Sequence, residues 1–152
     1  MAESVRVVVH FLDGSLLKGT TRDFRPNCSS FHLIPADGTS PVEVLCRHLK
    51  AIFFVKDLAG KRQRRDIRGF LAAPGKTEQG LKISVLFKDG EFLCGHSLTY
   101  AADREGFFMF PADPGSNNIR IYVNKSAAVE IKAGPGADML ARQMLRSRKR
   151  TA

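Results

Sequence analysis

Polar and apolar residues alternate along Val5–Phe11 so that Val5, Val7, Val9 and Phe11 fall on one side of a strand. Leu81, Ile83, Val85 and Phe87 fall the same way along Leu81–Phe87. Each run leads into Asp-Gly, at Asp13-Gly14 and Asp89-Gly90, where a glycine free to take positive φ turns the chain back as a hairpin. The spelling Phe-x-Asp-Gly-x-x-Leu-x-Gly therefore stands at Phe11–Gly19 and, 76 positions later, at Phe87–Gly95. The same offset lays Phe31–Asp37 on Phe107–Asp113. Two ungapped matches at one spacing point to a duplicated unit.

The rest of each copy continues as short strands. The second strand holds Gly19 or Gly95, where a missing side chain lets a small sheet bend or bulge. A third strand, Ser30–Ile34 or Gly106–Phe110, is stopped by Pro35 or Pro111, which cannot donate to a ladder. One extra residue in the second copy then sets Val42–Cys46 against Ile119–Val123 and Ala51–Val55 against Ala128–Lys132. This predicts an all-β chain of two tandem five-stranded units, residues 1–58 and 80–133. A linker (59–79) separates them, and a basic helix or tail (134–152) follows. The segment Ala137–Arg150 has good helix formers but is too short to hold alone, so it docks through Leu140 and Met144 or frays.

A unit of this size with a bent second strand, Phe-x-Asp-Gly and a following glycine, then three short apolar strands, resembles the Sm-like and SH3-like small barrels. The resemblance implies two tandem small five-stranded barrels. Sm proteins read RNA with the loop between the second and third strands, which here is Asp23–Ser30 or Thr99–Gly106; only Asp23 and Asn27 correspond, and loosely. The stretch Gly106–Val123 is also similar to an uncharacterised bacterial domain family, a likeness that implies no function. Arg64 and Arg68 in "RRDIR" resemble the Arg-x-x-x-Arg of PilZ domains, which implies cyclic di-GMP as an alternative ligand, its phosphates gripped bidentately. The Asp/Asn-x-Ser-x-x-Gly half of that motif is absent.

Charge sharpens the picture once it is located. The chain of 152 residues carries a net +9. Lys61–Arg68 contributes five basic residues and one acid, and Leu140–Ala152 contributes five basic residues and none, which accounts for all of it. Lys61, Arg62, Arg64, Arg65 and Arg68 of the linker, with Arg146, Arg148, Lys149 and Arg150 of the tail, are therefore the candidate contacts to a polyanion, RNA or DNA first. The other reading of these runs is a solvated charge that keeps the protein soluble. The three cysteines, Cys28, Cys46 and Cys94, read as free thiols. With no apolar run long enough to span a membrane and a strand pattern following Met1-Ala2-Glu3, the expected location is the cytoplasm.

Candidate chemistry is sparse. The chain spells no nucleophile elbow, Walker loop, dinucleotide fingerprint or His-Glu-x-x-His, so neither an enzyme nor a cofactor is expected. Cys28, His32, Cys46 and His48 can be assembled on paper into a zinc site, but their spacing matches no zinc module. Asp13 and Asp89 are explained by turn chemistry. More telling are large apolar residues at positions that face outward by strand parity, among them Val8, Leu12, Ile34, Phe53, Val55, Phe108, Phe110 and Tyr122. Such residues need a second cover. Phe53, Val55, Phe108 and Phe110 are expected between the two units or in an oligomer or partner interface, which makes a binding or adaptor module the leading functional expectation.

Overall fold

A computed structural model describes residues 4–58, 80–101, 103–112 and 117–151. The first half holds β1 (Val5–Phe11), β2 (Leu16–Thr21), β3 (Ser30–Pro35), β4 (Val42–Leu45) and β5 (Leu49–Val55). The second holds β6 (Leu81–Phe87), β7 (Phe92–Ser97), β8 (Gly106–Pro111), β9 (Asn118–Asn124) and β10 (Ala128–Ala133), followed by α1 (Pro135–Thr151). A single 3₁₀ turn joins β4 to β5 at Cys46–His48, and another joins β9 to β10 at Lys125–Ala127. Asp13 and Asp89 do the same work in the two hairpins: each Oδ1 accepts from the backbone N–H two residues on, at 2.9 and 3.0 Å. Gly14 and Gly90 take φ of +91° and +93° beside them.

The strands form one open antiparallel sheet of ten, in the order β10-β6-β7-β8-β9-β5-β1-β2-β3-β4. The expected pair of five-stranded barrels is thereby corrected. β5 is paired on both edges, with β1 of its own half and with β9 of the other, through registers such as Val8↔Phe53 and Phe53↔Ile121. A strand occupied on both edges cannot also close a barrel within its half. The reason lies in its sequence: every residue of "LKAIFFV" is buried, so β5 needs cover on both faces and both edges, the condition of a central strand.

Two cores sit on opposite faces of this central pair. Ile52 and Phe54 of β5 and Tyr122 of β9 pack with Val7, Val9, Phe31, Leu33 and Val44 of the first half. Ala51, Phe53 and Val55 of the same strand pack with Ile83, Val85, Phe87, Phe107 and Met109 of the second, beside Ile121 and Val123. A polar clamp adds to the junction. Lys50, only 7% exposed, reaches from β5 to Asp89 at 2.7 Å and to Glu91 in the opposite hairpin, with its ammonium 4.7 Å from the Phe87 ring. Burial alone would push this ammonium down, but hydrogen bonds and charge from the two carboxylates hold it above its ordinary value.

Helix α1 covers the outer face of β6 and β7. Leu140 and Ala141 pack on Phe92, with Leu86, Cys94 and Met144 around them. Ser84 Oγ donates to the Ala137 carbonyl at 2.7 Å, and Lys82 pairs with Asp138 at 3.2 Å. No described helix is long and apolar enough to cross a membrane.

Candidate functional site

The loop between β2 and β3, Arg22–Ser29, lies over the line where the halves meet, and it is held there by its own residues. Phe24 sets its ring among Phe31 (5.2 Å between centroids) and Phe54 of the first half and Tyr122 (5.1 Å) of the second. Aromatic pairs at these spacings and steep angles are favourable beyond their burial. Asn27 takes a left-handed φ of +68°, which asparagine tolerates, closing a turn in which Cys28 N–H donates to Arg25 C=O. Asp23 accepts from the His32 backbone N–H at 2.9 Å and meets the His32 ring at 2.7 Å.

This last pair gives the loop a pH dependence. The Asp23 hydrogen bond, then its charge, raises His32 above its ordinary 6.5, and the same hydrogen bond lowers Asp23 below 3.8. The contribution of a raised histidine is complete below 6.5 and is lost as pH rises through the raised value. That of a depressed carboxylate is complete above 3.8 and is lost as pH falls through the depressed one. Loop pinning is therefore greatest between about pH 4 and 6.5. In Asp23→Asn, the His32 ring followed by NMR should titrate lower than in the wild type; an unchanged titration would show that Asp23 is not its partner in solution.

Beside this loop opens a cleft of about 770 Å³. Arg25, Asn27, Cys28, Ser29 and Ser30 come from the loop and the start of β3. Leu45 ends β4, Cys46 and Arg47 lie in the turn after it and Leu49 opens β5, while Glu105, Tyr122, Asn124, Lys125 and Ser126 come from the second half. Among the described residues, three cations from three separate elements thus line one opening with a single carboxylate. Its polar wall is ordered: Asn124 donates from Nδ2 to Leu49 C=O at 2.7 Å, across the junction, while its Oδ1 accepts from Ser126. Lys125 donates to Ala101 C=O at 3.3 Å and lies 5.5 Å above the Tyr100 ring.

Two thiols stand in the same cleft, Cys28 Sγ and Cys46 Sγ, 3.4 Å apart. Burial, then the neighbouring Cys28, pushes the Cys46 thiol up to about 12, the opposite of an activated nucleophile. His32, assembled with these thiols on paper, is engaged with Asp23 instead. Among the described residues no group of three or more His, Cys, Asp or Glu is placed to hold a metal ion.

Of the residues expected between the units or in a partner interface, Phe53 and Val55 lie in the contact between the two halves. Phe53 and Val55, 5% and 4% exposed, are inside the second core. Phe108 is half-buried against Tyr122 and Phe54, and Phe110 is half-buried on β8 opposite His96. Arg146 is exposed on α1, which also carries Arg148, Lys149 and Arg150. Lys61, Arg62, Arg64, Arg65 and Arg68 lie outside the described residues. Sequence reasoning missed Arg25, Arg47 and Lys125, because residues 1–58 carry seven cations against six acids and residues 80–133 carry six against six, and the three are far apart along the chain. The available signal was "RDFRPNC", in which two arginines flank an aromatic ring.

Residues 3–133 match the model of a single family, described as a family of unknown function (DUF6982). No curated protein and no solved structure matches the chain.

Proposed function

Since the chain belongs to this family of unknown function, we infer its activity from its own surface. We propose that it is a non-enzymatic binding module that takes single-stranded nucleic acid into the cleft between its halves. The observation that carries this reading is the convergence of Arg25, Arg47 and Lys125 on one opening against a single carboxylate, Glu105, beside the rings of Phe24 and Tyr122. Each cation that neutralises a phosphate releases counterions and adds affinity whatever the sequence. The half-buried Phe24 ring offers an edge or face to an unstacked base, and Asn27, Ser29, Ser30 and Ser126 offer donors and acceptors to base edges. The volume falls within the range of about 300–1,000 Å³ usual for ligand sites. An unactivated Cys46 thiol supports binding over chemistry. The basic runs Lys61–Arg68 and Arg146–Arg150 supply further charge for phosphate contact.

The test is fluorescence anisotropy of a labelled single-stranded RNA at a series of salt concentrations. Arg25→Gln, Arg47→Gln and Lys125→Gln together should weaken binding about 30-fold, near 2 kcal/mol, and lower the salt slope by about 2, at roughly 0.7 per lost contact on a single strand. A triple variant that binds as wild type, with affinity lost only when the linker and tail cations are removed, would take the cleft out of the function.

A further inference from the structure

Phe24 also lines a second, smaller pocket of about 250 Å³, whose described lining holds two arginines and no acid. Arg120 of β9 pairs in register with Phe54 of β5, so their side chains rise on one face of the sheet. Phe108 of β8 lies diagonally beside them, opposite Tyr122. The guanidinium carbon of Arg120 is 4.6 Å from the Phe54 ring centroid and 4.5 Å from that of Phe108, and the two rings are 5.9 Å apart and tilted, so the cation sits over the crease where they meet. Contact with two rings restricts where this cation can sit and, among the described residues, leaves its N–H donors without a ring oxygen or carboxylate to bond. Arg22, from the loop, lines the same pocket and is exposed. Among the described residues no carboxylate lies within 4 Å of either guanidinium, and the lining is otherwise Phe24, Thr21, Val5 and Pro26.

We propose that Arg120, held over Phe54 and Phe108, and Arg22 form a phosphate-binding site distinct from the cleft. The chemistry is that of a planar fork meeting two phosphate oxygens, with a second cation free to close from the loop. Covering an aromatic edge would need only the aliphatic stem of a lysine or arginine. It does not account for a guanidinium held over two rings beside a second arginine in an opening whose described lining has no acid. Two sources carry this chemistry, the terminal group of a free nucleotide and an internal phosphodiester of a strand. The site stands whether or not the cleft binds nucleic acid.

The experiment is a titration with inorganic phosphate, followed by NMR at the Arg120 Nε–H, with chloride at matched ionic strength as the control. Phosphate should produce a saturable shift that chloride does not. Arg120→Lys keeps the charge and loses the fork, and phosphate affinity followed by calorimetry should drop at least tenfold. Arg22→Gln, an exposed change that leaves the packing alone, should weaken phosphate about threefold to tenfold. The triple cleft variant should bind phosphate as wild type does, which separates failure of this site from failure of the cleft. A 5′-mononucleotide and an oligonucleotide without terminal phosphates then distinguish the two sources by which of them moves the Arg120 signal. Equal shifts with chloride, or Arg120→Lys binding phosphate as well as wild type, would overturn the proposal.

Discussion

Phe53→Lys should leave the chain without a cooperative melting transition, while Glu130→Lys, at the corresponding place in the second half, should melt within about 2 °C of wild type. Phe53 sits in the second core with its ring centroid 4.3 Å from that of His10, although its strand belongs to the first half. Truncating a buried Phe costs about 3–5 kcal/mol against a total of about 5–15. Putting an ammonium among Ile83, Val85 and Phe107 adds a desolvation cost of several kcal/mol more. The cost falls on both halves, because β5 is the strand through which they share a sheet. Glu130 lies half-buried on β10, within 3.8 Å of Lys132, on a strand that pairs with β6 alone. Circular dichroism melts of the two variants provide the comparison. A Phe53→Lys protein that melts like wild type would mean that the two halves do not share this core in solution.

The same pair of positions shows how far the sequence could be read. Period-two alternation and the Asp-Gly turns placed the strands, since both are local and each copy repeats them. The joined sheet was not local. Its trace was the contrast between "AIFFV", apolar on both faces, and "AVEIK", which alternates with charge at equivalent positions. Parity alone could say that Phe53 and Val55 lacked a cover, but it could not say that the cover was β9 and the second core. The cleft was harder still, because Arg47 and Lys125 are brought together only by the β5–β9 pairing, and no window of sequence contains both.

Gly19→Ala and Gly95→Ala should each destabilise by about 3 kcal/mol, the upper end for overpacking, which in a domain this size lowers the melting temperature by about 6–12 °C. The two glycines that close the repeated motif do not serve the turn, as Gly14 and Gly90 do. A Cβ at Gly19 would lie 2.1 Å from the Ile34 carbonyl oxygen, and one at Gly95 would lie 2.1 Å from that of Phe110. Both obstacles are backbone, so no side chain can rotate away, and the short β2–β3 and β7–β8 ladders must open instead. The double variant should fail to fold. Gly14→Ala meets nothing within 4 Å and pays only for its backbone conformation, about 1–2 kcal/mol. Urea unfolding of the three single variants ranks these costs. A Gly19→Ala midpoint at or above that of Gly14→Ala would show that the strands are not this close.

The β5–β9 ladder also bears on how the protein behaves when chains are crowded. A ladder between halves does not distinguish the second half of its own chain from that of a neighbour. Two chains that exchange second halves would make the same hydrogen bonds, fill the same two cores and rebuild Lys50 against Asp89 and Glu91. Such a domain-swapped dimer gains nothing per contact over the monomer and is favoured only by concentration. Because the Arg25, Arg47 and Lys125 cleft is built across that ladder, each exchanged pair would carry two intact clefts, and binding would become bivalent with no change in any residue.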